Sequence, residues 1–483
     1  MNYSLIINFI SRVVGLLGLS MIPPLILSFY YNENSHVYFL IPIFICLLAG
    51  TFSFIKPRKE ANLRFKESIL IVFLVWVVAS LIGAIPFKLT AGFNSYMDAF
   101  FESLSGFTAT GSTVLADIEI LPKSILFWRA ETHWLGGMGI IVLVLAIFPT
   151  MKGKAFLFEA EAPISPEEEK LLPRISDVAK TYWKIYVALT LLEIIFLLPV
   201  MSPFDAITHS FASIAGGGFS TKNLSVGYFD NLYIELVLSF FMIAGATSFI
   251  LHYYAFKGNF RKYLQSKAFI IFMLVIFTVT TIIAINLSME TKLNLDFFSA
   301  YRAAFFQVVS IITTTGFASE NFEFWPDLSQ FLLIAIMFIG GMSASTSGSI
   351  KISRYEVLFR NFKNRFIKLT HPSAVTRLKI GRKTIDECKI QRLQSFFFFY
   401  IIVFVLSGLL ITMLGNSPST SFSAVAATLG NVGPGIGDVG PYDNFAHFSS
   451  FTKIILSFCM LVGRLEIWGV LLLLFPEFWK KKW

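Results

Sequence analysis

Four short polar stretches hold the residues of this chain best suited to chemistry. The plainest is Ser310-Ile311-Ile312-Thr313-Thr314-Thr315-Gly316-Phe317, and three others hold matching places: Thr108-Ala109-Thr110-Gly111-Ser112, Ala215-Gly216-Gly217-Gly218-Phe219 and Gly430-Asn431-Val432-Gly433-Pro434. None has Asp, Glu, Lys, Arg or His in the two positions before its final glycine. What remains to offer a solute is backbone carbonyl, with Thr hydroxyls as helpers. Carbonyl rings from four loops can replace the hydration shell of a potassium ion, while the other cation-pore design, a ring of acidic side chains, is missing.

The glycines Gly111, Gly218, Gly316 and Gly433 recur at intervals of 107, 98 and 117 residues, so one unit of roughly that length is repeated four times. Glycine suits such a turning point because it reaches positive φ without a Cβ clash, which lets successive carbonyls aim inward. Four unrelated glycine-rich turns are the plainer alternative; shared spacing and a shared pattern before each loop argue against it.

The elements that must position these loops are membrane helices. Hydrophobic residues make up 55% of the 483 and charged ones 14%, with a mean hydropathy of +0.70, the composition of a polytopic membrane protein. The net charge of +9 does not point to nucleic acid, because 29 of 39 Lys and Arg fall in five segments, 56–66, 151–180, 257–267, 351–392 and 480–482. The positive-inside rule puts those segments, and with them both termini, in the cytosol. The opposite side carries Glu33, Asp117, Glu119, Asp230, Glu290, Glu320, Glu323, Asp327, Asp438 and Asp443, which would concentrate cations. Cys46, Cys388 and Cys459 form no disulfide or metal framework. The first apolar stretch, from Leu5, reads as a retained helix rather than a cleaved leader.

Two helices, about 5–31 and 37–55, precede the repeats. Each repeat then has an apolar span, a short amphipathic half-helix ending in the polar loop, and a second span. The span pairs lie near 67–87 and 125–149, 181–200 and 231–256, 267–287 and 327–354, and 393–414 and 450–476, giving ten crossings and four half-crossings. Ser202-Pro203 and Ser417-Pro418 read as an N-cap with proline at the first helical position. Non-helical backbone this deep must line water or be buried in protein. The negative ends of four half-helix dipoles would favour a cation beneath the loops.

Together with His133-Trp134-Leu135-Gly136-Gly137-Met138-Gly139-Ile140-Ile141, Gly218-Phe219-Ser220-Thr221 and Gly340-Gly341-Met342-Ser343-Ala344-Ser345-Thr346-Ser347-Gly348-Ser349, these motifs make the whole chain resemble the Trk/Ktr/HKT superfamily of potassium transporters, and most its bacterial TrkH-type subunit. The resemblance implies an all-α polytopic membrane protein with four membrane–pore-loop–membrane repeats in pseudo-fourfold arrangement plus two extra N-terminal helices. The divisions expected are 1–60 for the two N-terminal helices, 61–175, 176–262 and 263–390 for repeats one to three, and 391–483 for repeat four. The family's filter glycine maps onto Gly111, Gly218, Gly316 and Gly433, and its ion-lining carbonyls onto Ala109, Thr110, Gly216, Gly217, Thr314, Thr315, Asn431 and Val432. Members that favour sodium often carry Ser at the first filter glycine, so Gly111 reads as potassium-permissive. The family also implies potassium as substrate with no covalent cofactor, a homodimer in the bacterial plasma (inner) membrane, and a cytosolic nucleotide-binding regulatory subunit of the TrkA type, through which alone a nucleotide would act.

Outside the loops, Gly340 to Ile350 interrupts the second span of repeat three with five Ser or Thr and three Gly. With Gly340, Gly341, Ser343, Ser345, Thr346, Ser347, Gly348 and Ser349 it reads as a loosely packed, movable barrier below the filter, a role the family gives such a loop; a flexible linker is the alternative. Arg464 sits deep in the last span, where a charge is costly and must face water or a partner. It faces the ion path, as the family suggests, or makes a salt bridge to another helix; Glu466 points elsewhere on the helix. Arg129, Glu131 and His133 lie beside Gly136, Gly137 and Gly139, where proton coupling and helix packing are both open, and Glu102 is expected to brace the filter. In the basic segment, Val375 to Ile385 alternates like a short hairpin turning near Gly381, suited to a protein partner or lipid headgroups. A sodium- or proton-coupled symporter, or a secondary transporter of another solute, would explain repeats and broken helices but expects ionisable residues at the midplane. An enzyme would need a catalytic constellation that the sequence lacks.

Overall fold

Serine and aspartate caps set where the short central helices of this computed structural model begin. The structure describes residues 1–55, 64–139, 142, 175–291, 295–371, 379–380, 383–384 and 387–480. The chain opens with α1 (Tyr3–Ser20) and α2 (Ile22–Tyr30), one span interrupted at Met21 ahead of two prolines, and α3 (His36–Ile55). A Cβ on Gly50 would lie 3.0 Å from the Gly15 Cα, so small residues let α1 and α3 meet at backbone distance.

Repeat one comprises α4 (Phe65–Leu89), α5 (Tyr96–Phe107) and α6 (Lys123–Gly137). Repeat two comprises α7 (Ile175–Leu197), α8 (Pro203–Ala215), α9 (Leu232–Ala246) and α10 (Phe249–Phe256). After the short α11 (Arg261–Gln265), repeat three has α12 (Lys267–Met289), α13 (Phe297–Ile312), α14 (Asp327–Met337) and α15 (Ile352–Thr370). Repeat four has α16 (Glu387–Met413), α17 (Pro418–Leu429), α18 (Ser450–Arg464), α19 (Trp468–Leu474) and α20 (Pro476–Trp479). Between them β1 (Lys379–Ile380) pairs antiparallel with β2 (Lys383–Thr384), the hairpin read from the alternation; Gly381 and most of its flanks lie outside the described residues, as does 143–174.

The half-helices α5, α8, α13 and α17 run for 12, 13, 16 and 12 residues, or about 18–24 Å at 1.5 Å per residue. Ser95, Ser202 and Ser417 cap three of them by accepting from the backbone N–H of Asp98, Asp205 and Thr420 at 3.1–3.2 Å, and Asp296 caps the fourth through the Phe298 N–H at 3.2 Å. Asp98 returns the bond to the Ser95 N–H at 2.9 Å, completing a capping box. The Ser-Pro starts at Ser202 and Ser417 are thus where the sequence puts them.

The second spans differ from the sequence reading, which breaks only the third. All four stop short. α6 ends at Gly137, α9 gives way to α10 through a 103° bend, α14 ends at Met337, and α18 ends at Arg464 ahead of Glu466 and Ile467 at φ 55° and 62°. The cause is close packing on the half-helix ends. A Cβ on Gly136, Gly245 or Gly463 would stand 1.7, 2.8 or 2.1 Å from the carbonyl oxygen of Phe107, Ile214 or Leu429. Those three carbonyls hold one place, four residues before Gly111, Gly218 and Gly433. Among the described residues, four helical stretches are long and apolar enough to cross a membrane alone, Tyr3–Tyr30, Phe65–Leu89, Lys267–Met289 and Glu387–Met413, and the bent α9–α10 pair makes a fifth.

Two apolar cores hold the repeats. Phe87, Phe101, Phe107 and Trp128 belong to one, which joins the N-terminal helices to repeats one and four and, through Tyr182, Trp183, Tyr186 and Phe249, to part of repeat two; Phe272, Phe306, Ile312 and Leu333 belong to the other, drawn mainly from repeats two and three with Ala426 and Val432 of repeat four. Phe240, Phe277, Phe331 and Phe398 project outward, as side chains facing lipid do.

Gly463→Ala tests the packing account. Its methyl group would press on the Leu429 carbonyl, and such overpacking costs about 1–3 kcal/mol. A clearly lower thermal unfolding midpoint of the detergent-solubilised variant is expected; an unchanged midpoint would count against this contact.

Candidate functional site

Each half-helix ends in the same hydrogen-bonded turn. The N–H groups of Ala109, Gly216, Thr314 and Asn431 donate three residues back, to Gly106, Ser213, Ile311 and Thr428, at 3.0–3.2 Å. Those of Thr110, Gly217, Thr315 and Val432 donate five residues back, to Ser105, Ala212, Ser310 and Ala427, at 2.8–2.9 Å. This closure needs a left-handed residue at the first position, and φ there is 51°, 70°, 61° and 52°. Only one of those four residues is glycine. Ala109, Asn431 and especially the β-branched Thr314 sit in a region disfavoured for their types, held there by the bonds on either side.

Two residues later φ is positive again, at 87°, 75°, 82° and 104° for Gly111, Gly218, Gly316 and Gly433. Here the four loops close on one another. A Cβ on Gly111 would stand 2.1 Å from the Gly217 carbonyl oxygen, one on Gly218 2.0 Å from that of Thr315, one on Gly316 2.0 Å from that of Val432, and one on Gly433 2.7 Å from that of Thr110. The contacts run from repeat one to two, three, four and back to one. Of the eight residues expected to line an ion path, Thr110, Gly217, Thr315 and Val432 supply the oxygens of these contacts at corresponding places, and Ala109, Gly216, Thr314 and Asn431 directly precede them.

The Thr hydroxyls play a different part from the helper role read from the sequence. Thr110 and Thr315 are 2.7 and 2.8 Å from the hydroxyls of Thr108 and Thr313, inside the protein. Asn431 Nδ2 donates to Thr110 Oγ1 at 2.9 Å and to the Met460 carbonyl at 3.1 Å, and Ser112 donates to the Gly433 carbonyl at 3.0 Å. These bonds stitch repeat four to repeat one.

Gly340 to Ile350 lies against the ring of loops, but it is not loosely packed. Thr346, Ser347, Gly348, Ser349 and Ile350 are all buried. Thr346 Oγ1 donates to the carbonyls of Ile214 and Gly245 at 2.9 and 3.0 Å, and Thr314 Oγ1 accepts from the Gly348 N–H at 2.8 Å. The broken span of repeat two supplies a cradle, with Met342 N–H to Ala246 O at 2.9 Å, Thr346 N–H to Gly245 O at 3.1 Å and Phe249 N–H to Ala344 O at 2.9 Å. The carbonyls and N–H groups freed where α9 and α14 stop thereby satisfy one another. Sequence composition had suggested the opposite because Gly and Ser are common in linkers, and the partner break in repeat two was not visible.

Arg464 closes the set. Its guanidinium donates to the Thr346 carbonyl at 2.8 Å and to those of Gly136 and Gly137 at 2.6 and 2.5 Å, so it joins the ends of three second spans. It also lines a cavity of about 70 Å³ with Trp76, Tyr182, Ser345, Ser347, Lys351 and Glu466. Glu466, past the end of α18 and on the same cavity, takes Lys351, at 3.2 Å, and Arg354 as ion-pair partners across from repeat three.

Behind the ring of loops, His133 Nδ1 is 2.8 Å from the Gly106 carbonyl and its imidazole backs Gly217, where a Cβ would be 2.5 Å away. Arg129 pairs with Glu102. A pair that the sequence reading passed over, Lys453 Nζ to Asp98 Oδ1 at 2.6 Å, ties α18 to α5; a lysine one turn inside an apolar span was its signal. Among the outer acids, burial and the adjacent Asp443 push Glu323 up to about 7.

Comparison with known proteins agrees along the whole chain. The TrkH family, described as cation transport protein, matches residues 35–481. The Trk system potassium uptake protein TrkH of Halomonas elongata is 37% identical over 98% of this chain and 100% of its own length. The protein of that name from Escherichia coli K12 is 39% identical over 98% and 99%. The crystal structure of the potassium transporter TrkH from Vibrio parahaemolyticus superposes with a TM-score of 0.88 at 36% identity, covering 99% of this chain and 100% of that one.

Arg464→Ala separates the two roles its position suggests. If its charge opposes cations in the cavity, flux at fixed driving force should rise on the order of tenfold, equivalent to about 1.4 kcal/mol of repulsion removed. Normal protein level with unchanged or reduced flux would contradict that role.

Proposed function

Because this chain belongs to the TrkH family of cation transport proteins, we propose that it takes up potassium through the ring of four loops. The observation that carries this reading is the closed sequence of contacts in which each glycine faces the carbonyl of the next loop. Potassium exchanges its hydration shell for the carbonyls of Ala109, Thr110, Gly216, Gly217, Thr314, Thr315, Asn431 and Val432, and no side-chain charge is needed there. The C-terminal ends of α5, α8, α13 and α17 converge on the loops from within, and their dipoles favour a cation in the space beneath. Arg464 tempers that attraction, so that an ion does not bind too tightly to leave.

In the described conformation Gly340 to Ile350 obstructs this space and acts as the gate. Its dense hydrogen bonding means that opening requires an input of free energy. Lys351 and α15 follow directly and lead to the basic cytosolic segment, where a nucleotide-binding regulatory subunit of the TrkA type would pull. The proposal includes a homodimer in the bacterial inner membrane with cytosolic termini, and repeats divided at 61–175, 176–262, 263–390 and 391–483 after the N-terminal pair.

Uptake of rubidium and potassium, against sodium, by cells lacking other routes tests the function. Potassium-limited growth restored by this chain with its regulator is expected; uptake of sodium alone would overturn the reading. Gly111→Ser adds an atom where φ is 87° and the Gly217 carbonyl is 2.1 Å from a Cβ, so the potassium to sodium permeability ratio should fall on the order of tenfold or more, about 1.4 kcal/mol. An unchanged ratio in folded protein would count against the filter. Deleting Ser345 to Ser347 removes the bonds of Thr346 and Ser347, and basal flux without the regulator should rise. If the shortened protein reaches the membrane at normal level and keeps a low basal flux, the gate lies elsewhere.

A further inference from the structure

The residue nine positions before the filter glycine is Glu102 in repeat one, His209 in repeat two, Gln307 in repeat three and Ala424 in repeat four. In the first three it reaches from its half-helix to the chain leaving its own loop. His209 Nε2 is 3.0 Å from Ser220 Oγ, and Gln307 Nε2 donates to the Phe317 carbonyl at 3.4 Å. Repeat four has no polar atom there; Ser423 accepts from the Ile436 N–H at 2.5 Å and Thr420 Oγ1 donates to Asp438 Oδ2 at 3.0 Å instead. Glu102 has the fullest set of bonds. Its carboxylate accepts from Thr113 Oγ1 at 3.0 Å, from the Val114 N–H at 3.0 Å and from Arg129 Nε at 2.9 Å.

Arg129 extends this brace to the next repeat. Its Nη1 donates to the Ser220 carbonyl at 3.1 Å, and its guanidinium lies 4.1 Å from the centre of the Phe219 ring. Glu102 is 0% and Arg129 1% exposed. One buried ion pair therefore holds the chain just after Gly111 and the chain just after Gly218. Its lone pairs and N–H groups are taken up by protein, the condition under which such a pair can be retained out of water. The carboxylate is committed to these partners and does not face a passing ion.

We propose that the Glu102–Arg129 pair is a positioning element that sets potassium over sodium selectivity by stopping the first two loops from closing in on the smaller ion. A carbonyl ring discriminates by how far its oxygens can follow a contracting ion. Loops one and two are the pair whose contact, Gly111 against Gly217, faces this brace. Loosening it should relax selectivity more than conduction. Arg129 and Glu102 are positioning residues, since neither touches the ion.

This inference rests on the filter reading, and the test keeps the two apart. Thr113→Val keeps the Glu102–Arg129 contact and the Val114 N–H bond to Glu102 but removes the hydroxyl that bonds both members of the pair, at 3.0 Å to Glu102 and 3.4 Å to Arg129; Glu102→Gln removes the charge. Purified variants are compared with Gly111→Ser by reversal potential in mixed potassium and sodium, and by thermal unfolding. For Thr113→Val the permeability ratio should fall about tenfold at near-parental unfolding temperature, the order of change expected when hydrogen bonding to a charged group is lost. Glu102→Gln should fall at least as far if it folds. A ratio that drops in Gly111→Ser and stays parental in Thr113→Val overturns the brace and keeps the filter. A parental ratio in both overturns the filter reading itself.

Discussion

The rest of the structure depends on a steric constraint, the absence of a side chain at four glycines that each face a carbonyl of the neighbouring loop. A ring closed at that distance leaves no slack. The loops must therefore leave their half-helices in one fixed conformation, which explains why Ala109, Thr314 and Asn431 adopt left-handed φ alongside Gly216. It also explains the second set of glycines. Gly136, Gly245 and Gly463 let three second spans lie directly on the half-helix ends, and helices pressed inward so far stop rather than continue straight through. The broken spans, the buried inner loop and the cation that joins them are consequences of bringing four chains to one axis.

Much of this was legible in the sequence because its signals are local. Four glycines at near-regular intervals, Ser-Pro starts at Ser202 and Ser417, and apolar runs of membrane length name the helices and the loops without reference to any contact. The breaks in repeats one, two and four were not legible, because Gly136, Gly245 and Gly463 look like ordinary small residues of an apolar helix until the opposing carbonyl is known. The packing of Gly340 to Ile350 was misjudged for a related reason. Small polar residues signal freedom only when nothing complementary lies opposite, and the complementary surface is a break of the same kind in α9. The partners of Glu466 are not legible either, because Lys351 and Arg354 lie 115 and 112 residues away along the chain.

Charge at the inner side is arranged around the same break points. Arg464 uses carbonyls of repeats one and three, while Glu466 holds Lys351 and Arg354 at the far end of the inner loop. Repeat four thus holds that loop at Thr346 and again just past its C-terminal end. On the proposed reading, a pull on α15 must work against Glu466 before it can disturb Thr346, and the regulator's effect would reach the ring through repeat four as well as repeat three. Lys453–Asp98 and Glu102–Arg129 brace the same half-helix, α5, at two positions one turn apart.

The central claim, that ions pass through this ring stripped of water by its carbonyls, is tested most directly by anomalous diffraction from crystals containing rubidium. The account predicts peaks on the common axis, surrounded by the carbonyl oxygens of Thr110, Gly217, Thr315 and Val432. Rubidium bound only elsewhere, at side-chain carboxylates or in a separate cleft, would contradict it.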